Sequence, residues 1–162
     1  MAAAKAMPLT FRLATPADYE TLETLVIDAF GPITWYRTAD ERFGPLNGRD
    51  WRARWKTRFA RVFETQIVLV GEEGGDVVAI ATGTYDAESR LGYIDLLGVA
   101  ISRQGKGYGR QMLREMLRYL KELGAEHAHL ECLTTNERGN QLYRSEGFEE
   151  VARSIRWFIR IP

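Results

Sequence analysis

Residues 97–110 decide the fold, and they read LGVAISRQGKGYGR. An apolar run enters a glycine-rich turn, after which apolar residues recur at helical spacing as far as residue 123. This pattern predicts a strand, a turn and a helix. Glycines at 105, 107 and 109 let a ligand approach the backbone closely, and the helix N-terminus adds the positive end of its dipole. The segment therefore predicts an anion site, and its several converging donors suit a pyrophosphate better than a single carboxylate.

The spacing of these glycines differs from that of two common phosphate-binding motifs. A P-loop requires G-x-x-x-x-G-K-[ST] and a dinucleotide fingerprint requires G-x-G-x-x-G, whereas residues 105–109 read G-x-G-x-G. Lys106 and Arg110 would add full positive charges to the site. A turn that merely joins a strand to a helix is the alternative interpretation of the glycines alone.

Hydrophobic periodicity outward from this segment predicts the order β-α-α-β-β-β-α-β-α-β-β. Residues 31–48 hold two Gly-Pro pairs among several aromatic residues, and we expect a mobile or irregular segment there. The predicted strands are 9–13, 66–71, 77–85, 93–101, 126–133, 148–151 and 155–161. The predicted helices are 15–30, 48–64, one that follows the glycine turn 105–109 and runs to about residue 123, and 136–146.

Length and composition predict one domain of ordinary globular type. The chain has 162 residues with 22 Lys and Arg against 22 Asp and Glu, and 45% of it is hydrophobic. We expect one domain over residues 8–162 and a flexible tail over 1–7. The absence of net charge argues against a nucleic-acid or membrane partner. The single cysteine, Cys132, excludes an internal disulfide and favours a reducing compartment, so a cytoplasmic location is expected.

Two motifs together resemble the GNAT superfamily of acyl-coenzyme A-dependent N-acyltransferases. The segment Gln104-Gly105-Lys106-Gly107-Tyr108-Gly109 fits the pattern [Gln/Arg]-x-x-Gly-x-[Gly/Ala] of that superfamily at every defined position. Downstream, Asn136, Leu142-Tyr143 and Gly147-Phe148 fall at the spacing of its N-x(5)-L-Y-x(3)-G-F segment. The predicted order of strands and helices matches the superfamily fold over nearly the whole chain.

The resemblance implies an α/β fold with a mixed, mostly antiparallel seven-stranded sheet and about four helices. In this superfamily the fourth and fifth strands splay apart, and the pantetheine arm of acetyl-coenzyme A pairs with the fourth strand. The pyrophosphate lies on backbone N–H groups of residues 105 to 110. The residues implied in cofactor binding are Leu97, Gly98, Val99, Ile101, Gln104, Gly105, Lys106, Gly107, Tyr108, Gly109, Arg110, Asn136 and Tyr143.

Acetyl transfer to an amine needs a neutral amine, a stabilised oxyanion and a proton for the departing thiolate. By resemblance, Tyr143 supplies that proton and a backbone N–H near Val99 holds the oxyanion. Glu131 and Asp95 are the two candidate bases, with Glu131 preferred, and ordered water alone is a third possibility. Strand alternation places Asp95 on the face shared by Leu97 and Val99. Tyr143 and Asn136 also have structural alternatives, as a packed helix residue and a helix N-cap.

Trp35 and Tyr36 are the candidate substrate-binding residues, because in this superfamily the connection between the first two helices borders the acceptor site. Six basic side chains over 49–61 are interpreted as a solvated helix face. His127, His129 and Glu131 alternate along one strand, but they lack an obvious fourth ligand and no metal is predicted.

The expected function is acetyl transfer from acetyl-coenzyme A to a primary amine of a small molecule or of a peptide. A non-catalytic acyl-coenzyme A sensor is the alternative. A homodimer paired through edge strands near the C-terminus and a monomer whose edge is guarded by Arg153, Arg156 and Arg160 both remain open.

Overall fold

A computed structural model describes residues 8–162, so the tail predicted over 1–7 lies outside the described residues. These described residues form a five-stranded mixed sheet with five α-helices. The strands are β1 (Thr10–Leu13), β2 (Ile67–Glu73), β3 (Asp76–Asp86), β4 (Leu91–Val99) and β5 (His127–Leu130), and the helices are α1 (Tyr19–Phe30), α2 (Trp35–Phe43), α3 (Trp51–Thr65), α4 (Tyr108–Leu123) and α5 (Glu137–Ser145).

The sheet follows chain order, β1-β2-β3-β4-β5, with antiparallel pairs throughout except for the parallel pair β4–β5. One face packs against α1 and α3, whose buried residues include Leu22, Trp55 and Phe59. The other face packs against α4 through Met112 and Leu113, among others. Helices α1, α3 and α4 bury the apolar stripes that their periodicity predicts, so two apolar layers enclose the sheet.

A β-bulge interrupts β4. Asp95 and Leu96 together lie opposite the single residue Thr82, since Ala81 pairs with Leu97 while Gly83 pairs with Ile94. The N–H of Leu96 donates to the fully buried hydroxyl of Thr82 at 3.2 Å. The extra residue reverses the alternation of the strand: Ile94 packs on the α4 side and Leu96 on the α1–α3 side.

This bulge corrects the expected facing of Asp95. The carboxylate contacts α3 on one side of the sheet, whereas Leu97 and Val99 pack with the α4 cluster on the other. The expectation that Asp95 shares a face with Leu97 and Val99 is therefore wrong, because regular alternation does not hold across a bulge.

Residues 31–48 contain a helix that the sequence interpretation missed. Helix α2 begins after Thr34, whose hydroxyl accepts from the N–H of Tyr36 at 3.3 Å, and it ends at Gly44 with a φ of 79°. The two Gly-Pro pairs therefore flank a helix instead of marking an irregular segment. The number of α-helices rises from the expected four to five.

The last two predicted strands do not form within the described residues. Residues 148–162 belong to no helix or strand, and residues 149–162 make no backbone-to-backbone hydrogen bond with the rest of the described chain. Instead, Phe158 stacks on Phe43 with ring centroids 4.8 Å apart, and Arg156 lies 4.4 Å from the Trp35 ring centre. The expectation of seven strands is therefore wrong, since residues 8–162 form five strands.

None of the helices described between residues 8 and 162 is long and apolar enough to span a membrane.

Replacing Gly83 tests the close approach of β3 to β4 beside the bulge. A Cβ at Gly83 would lie 2.3 Å from the carbonyl oxygen of Tyr93, whereas one at Gly98 would meet its nearest neighbour at an ordinary 3.4 Å. We expect Gly83→Ala to lower the free energy of unfolding by about 3 kcal/mol, as overpacking at a backbone contact does. Gly98→Ala, the control, should lower it by less than about 1 kcal/mol. Equal effects of both variants in urea unfolding would contradict the close approach.

Candidate active site

The turn before α4 presents a row of free backbone donors. The N–H groups of residues 105 to 110 donate to no acceptor among the residues that the structure describes, while the next donor, Gln111, bonds to the carbonyl of Gly107. Gly105 and Gly107 have φ angles of 83° and 79°, which glycine adopts without cost. Six donors at a helix N-terminus fit an anion with several oxygens, so the pyrophosphate of coenzyme A matches what the chain offers here.

The side chains of this turn are already paired with carboxylates. Lys106 donates to Glu73 at 3.2 Å, and Arg110 is paired with Glu146, whose side chain is only 8% exposed. Tyr108 is buried and its hydroxyl donates to Glu73, so its side chain belongs to the core and only its N–H is available to a ligand. Hydrogen bonds, first from Tyr108, lower the pKa of Glu73 to about 2 and keep it charged.

Strand β4 has an open edge beside this turn. Pairing with β5 ends at Ile94 opposite Leu130, so the edge of Leu97, Gly98 and Val99 that faces β5 has no strand partner there. Gln104 donates its side-chain amide to the carbonyl of Val99 at 3.1 Å and so joins the turn to the strand. The open edge is where the pantetheine arm is expected to pair.

The expected strand end at Ile101 is wrong by two residues. Ile101 begins a short 3-10 turn that ends at Arg103, and its side chain is 59% exposed. The chain leaves the sheet after Ala100, whose N–H donates to the carbonyl of Val78 at 2.8 Å. Ile101 can therefore touch a ligand through its exposed side chain, but it does not extend β4.

Tyr143 on α5 packs against the α4 side of the core and lies beside the thiol of Cys132. Burial, and then the nearby thiol, raises the pKa of Tyr143 to about 12, so its phenol keeps its proton at neutral pH. Its ring stacks edge-on with Phe148 at 5.9 Å. Burial also raises the pKa of Cys132, which makes this thiol a poor nucleophile.

Asn136 is the N-cap of α5. Its side-chain oxygen accepts from the N–H of Gly139 at 3.1 Å, which is the structural role that the sequence left open. Its side-chain NH₂ remains as a donor, because no acceptor for it lies within the described residues. The cap therefore does not prevent contact with a ligand.

Both candidate bases lie near Tyr93. Burial, followed by the charges of Asp95 and Glu131, raises the pKa of Tyr93, so both carboxylates are close to its phenol. The ring of Tyr93 also lies 4.9 Å from that of His129. Tyr93 was not singled out in the sequence because its role depends on the pairing of β4 with β5.

The two carboxylates differ in their surroundings. Asp95 is 8% exposed, and its two oxygens accept from Arg58 at 2.6 Å and from Gln66 at 2.9 Å. Glu131 is exposed and forms no ion pair with residues 8–162. Asp95 is thus held and neutralised, whereas Glu131 is free to accept a proton.

A cleft of about 610 Å³ opens beside Asp95, between α2, α3 and β4. Tyr36 lines it, but Trp35 does not and instead lies under Arg156. The basic run over 49–61 supplies four of its lining side chains, Arg49, Arg54, Arg58 and Arg61. The solvated-face interpretation is wrong for Arg54 and Arg58, which are ion-paired and only 23% and 35% exposed.

Within the part of the chain that the structure describes, no group of three or more His, Cys, Asp and Glu is placed to hold a metal ion. His127 and His129 lie on β5 with exposed side chains.

Comparison with known proteins identifies the family. The acetyltransferase (GNAT) family model matches residues 33–148, more than half of the chain. The chain belongs to this family. It is 35% identical over 81 residues to the streptothricin acetyltransferase of Streptomyces lavendulae, covering 50% of this chain and 42% of that protein. It is also 35% identical over 81 residues to the N-alpha-acetyltransferase RimI of Mycobacterium tuberculosis, covering 46% of this chain and 49% of RimI. The chain therefore spans less than half the length of these relatives.

A solved structure of an aminoglycoside N-acetyltransferase in complex with CoA shares the fold. It superposes with a TM-score of 0.67 at 12% identity, covering 98% of this chain and 99% of the other. The GNAT fold expected from residues 104–109 and from the downstream segment is thereby confirmed, in a version with five strands and five α-helices.

Gly107→Ala tests the backbone cradle. An alanine at a φ of 79° is strained, so the turn should shift and move the donors, and we expect the Kd for acetyl-coenzyme A to rise about tenfold in calorimetric titration. Gly44→Ala is the matched control, because Gly44 has the same φ of 79°, lies at the end of α2 and likewise has open space around a new Cβ. The control should lose similar stability without losing affinity. An unchanged Kd for Gly107→Ala would contradict the cradle.

Proposed function

We propose that this protein transfers the acetyl group of acetyl-coenzyme A directly to a primary amine. The observation that carries the proposal is the row of six unpaired N–H groups at residues 105–110, next to the open edge of β4. An anion on the donors and an arm along the edge would bring the thioester towards Asp95, Glu131 and Tyr93. Membership of the acetyltransferase family supports the same reaction.

In this proposal Glu131 is the general base. Its carboxylate is exposed and unpaired within the described chain, so it can accept a proton from the amine directly or through water. Asp95 has both oxygens occupied by Arg58 and Gln66, which makes it a positioning group for the amine. The proposal therefore keeps the preference for Glu131 over Asp95 that the sequence suggested. The reason for this preference is now that Asp95 is ion-paired, whereas Glu131 is not paired within residues 8–162.

Tyr143 is the proposed general acid. Its raised pKa, about 12, keeps the phenol protonated over the whole neutral range, as a proton donor requires. The amine nitrogen forms a bond to the acetyl carbon, the carbon–sulfur bond breaks, and the phenol proton passes to the departing thiolate. The proton taken by Glu131 then leaves to solvent, and Tyr143 regains one, so the charges balance.

Two substitutions test these roles. Tyr143→Phe removes only the hydroxyl, which bonds to no residue in 8–162, so the ring packing against Phe148 should persist while kcat falls about a hundredfold. Glu131→Gln should lower kcat by a similar factor, because the amide cannot accept a proton from the amine. Thiol release from acetyl-coenzyme A with a panel of amines gives both rates.

The same assay decides between the enzyme and the sensor. Tight cofactor binding with no thiol release from any amine would overturn the proposal in favour of a non-catalytic sensor. Absence of cofactor binding would overturn the assignment of residues 104–110. His127→Gln is the control variant, since its exposed side chain lies on β5 outside the proposed machinery and its rates should match the wild type.

We further propose that the chain forms a homodimer through residues 151–161. Apolar side chains with exposures of 75 to 86% recur along one side of this extended segment. They are Ile155, Trp157, Ile159 and Ile161. An apolar stripe with an unpaired backbone needs a partner, and a second copy supplies an identical stripe about a twofold axis.

The arginines of the segment do not guard this stripe. Arg156 lies over Trp35, and Arg160 donates to the carbonyl of Phe43 at 3.3 Å, so both are directed towards α2. Arg153 is paired with Glu150. The stripe is therefore left open to a second copy.

Trp157→Asp tests the dimer. A charge in the stripe should convert a dimer at micromolar concentration into a monomer in light scattering after gel filtration, while Ser154→Asp, a charge on the neighbouring exposed position, should leave it dimeric. A wild-type monomer at 100 μM would rule out this contact.

A further inference from the structure

The cleft beside Asp95 has an excess of positive charge. Its lining includes Arg49, Arg54, Arg58 and Arg61 against Asp50 and Asp95. Arg58 is neutralised by Asp95, and Asp50 pairs with Arg52, which does not line the cleft. The side chains of Arg49 and Arg61 form no ion pair or hydrogen bond with any residue described by the structure. Two uncompensated guanidinium groups therefore face the cleft.

Buried polar atoms without partners add to this excess. Arg54 donates through Nη2 to the carbonyl of Tyr36 at 2.8 Å and to Asp40 at 2.5 Å, but its Nε and Nη1 are buried and bond to nothing. Oδ2 of Asp40 and Oε1 of Gln66 are also buried and unpartnered. Buried polar atoms normally have hydrogen-bond partners, so a ligand that supplies partners to these atoms is favoured here.

The polar groups are arranged along the cleft by the geometry of α3. Arg54, Arg58 and Arg61 recur at helical spacing, so they lie along one side of the helix over about 10 Å. Arg58, in the middle, meets Asp95, and Gln66 binds the second oxygen of that carboxylate. Acceptor atoms of Asp95 and Gln66 thus lie beside Arg58, in the middle of this row of arginines.

This arrangement of charges fits an amine substrate whose two ends carry opposite charges. An ammonium or amine needs oxygen acceptors, which Asp95 and Oε1 of Gln66 supply at the bulge where β4 leaves β5. A carboxylate needs fork-shaped donors, for which arginine is best suited. A plain polyamine would meet uncompensated arginines and be repelled.

We propose that the cleft is the acceptor site of the reaction proposed above and that it selects amines that also carry a carboxylate. Asp95 and Gln66 hold the amine end, and Arg61 and Arg49, together with the unpaired donors of Arg54, hold the carboxylate. The inference rests on the proposed function for the transfer step. The selection of a carboxylate is a property of binding and is tested by itself.

The test compares acceptors that differ only in the carboxylate. Thiol release is measured with the common L-amino acids, with their amides, and with putrescine. Phosphoethanolamine, which carries a phosphate, separates a general preference for anions from a preference for carboxylates. We expect kcat/KM to be at least tenfold higher for the preferred amino acid than for its amide, with putrescine poorer still.

Arg61→Gln is the decisive variant, since Arg61 is exposed at the cleft and its loss should not disturb folding. It should raise KM for the amino acid about tenfold with little change in kcat, and leave KM for the amide unchanged. Lys56→Gln, at an exposed position on the same helix outside the cleft, is the matched control and should leave both values unchanged. A preference for amides or polyamines, or an unaltered ratio in Arg61→Gln, would overturn the proposal.

Calorimetric titration of the same compounds into the complex with coenzyme A separates this inference from the proposed function. Binding of the amino acid at least tenfold tighter than its amide, abolished in Arg61→Gln, supports the cleft even if no acetyl group is transferred. Transfer to amides or polyamines without such discrimination would uphold the enzyme and refute the carboxylate selection. Failure of both would refute both.

Discussion

The bulge in β4 is the constraint on which the rest of the site depends. Two residues opposite Thr82 reverse the strand's facing, so Asp95 and Leu96 lie towards α3 while Leu97 and Val99 lie towards α4. The bulge is held by the buried Thr82 hydroxyl and by the close approach of Gly83 to Tyr93. Without it, regular alternation from Ile94 would keep Asp95 towards α3 but would place Leu97 and Val99 on that same face, away from the α4 core.

The pairing of β4 with β5 ends at the same point, so the two halves of β4 have different roles. Before Ile94 the strand is a paired member of the sheet, and after it the edge facing β5 is open. The proposed cofactor uses the backbone of that edge, whereas the proposed acceptor uses side chains on the α3 face. One strand can serve both because backbone edges and side-chain faces are perpendicular to one another in a sheet.

Ion pairs determine which charged side chains of the site remain free to bind a ligand. Glu73 and Glu146 engage Lys106 and Arg110, so the anion turn relies on its N–H groups, whose positions are set by the backbone. In the cleft, by contrast, the arginines outnumber the carboxylates, so positive charge is left unpaired. The chain therefore presents neutral donors to the proposed cofactor and charged donors to the proposed acceptor. Neutral backbone donors hold a pyrophosphate at fixed positions, while free arginines can adjust to acceptors of different length.

The sequence by itself determined the features that depend on local pattern. The glycine turn into α4, the order of the first five strands and the family resemblance of residues 104–109 follow from spacing and periodicity, and family membership confirms the resemblance. Helix α2 also had a local signal, in Thr34 and Gly44 at its two ends, but the Gly-Pro pairs were interpreted as irregular structure.

Only the tertiary structure decided which side chains meet. A one-residue bulge changes the facing of every later residue in β4, and no local pattern in the sequence announces it. The pairing of Arg58 and Gln66 with Asp95, and the position of Glu131 near Tyr93, join segments that are about 30 or more residues apart. The path of residues 148–162 was also decided by the tertiary structure, because alternating apolar residues predict a strand but do not specify its partner.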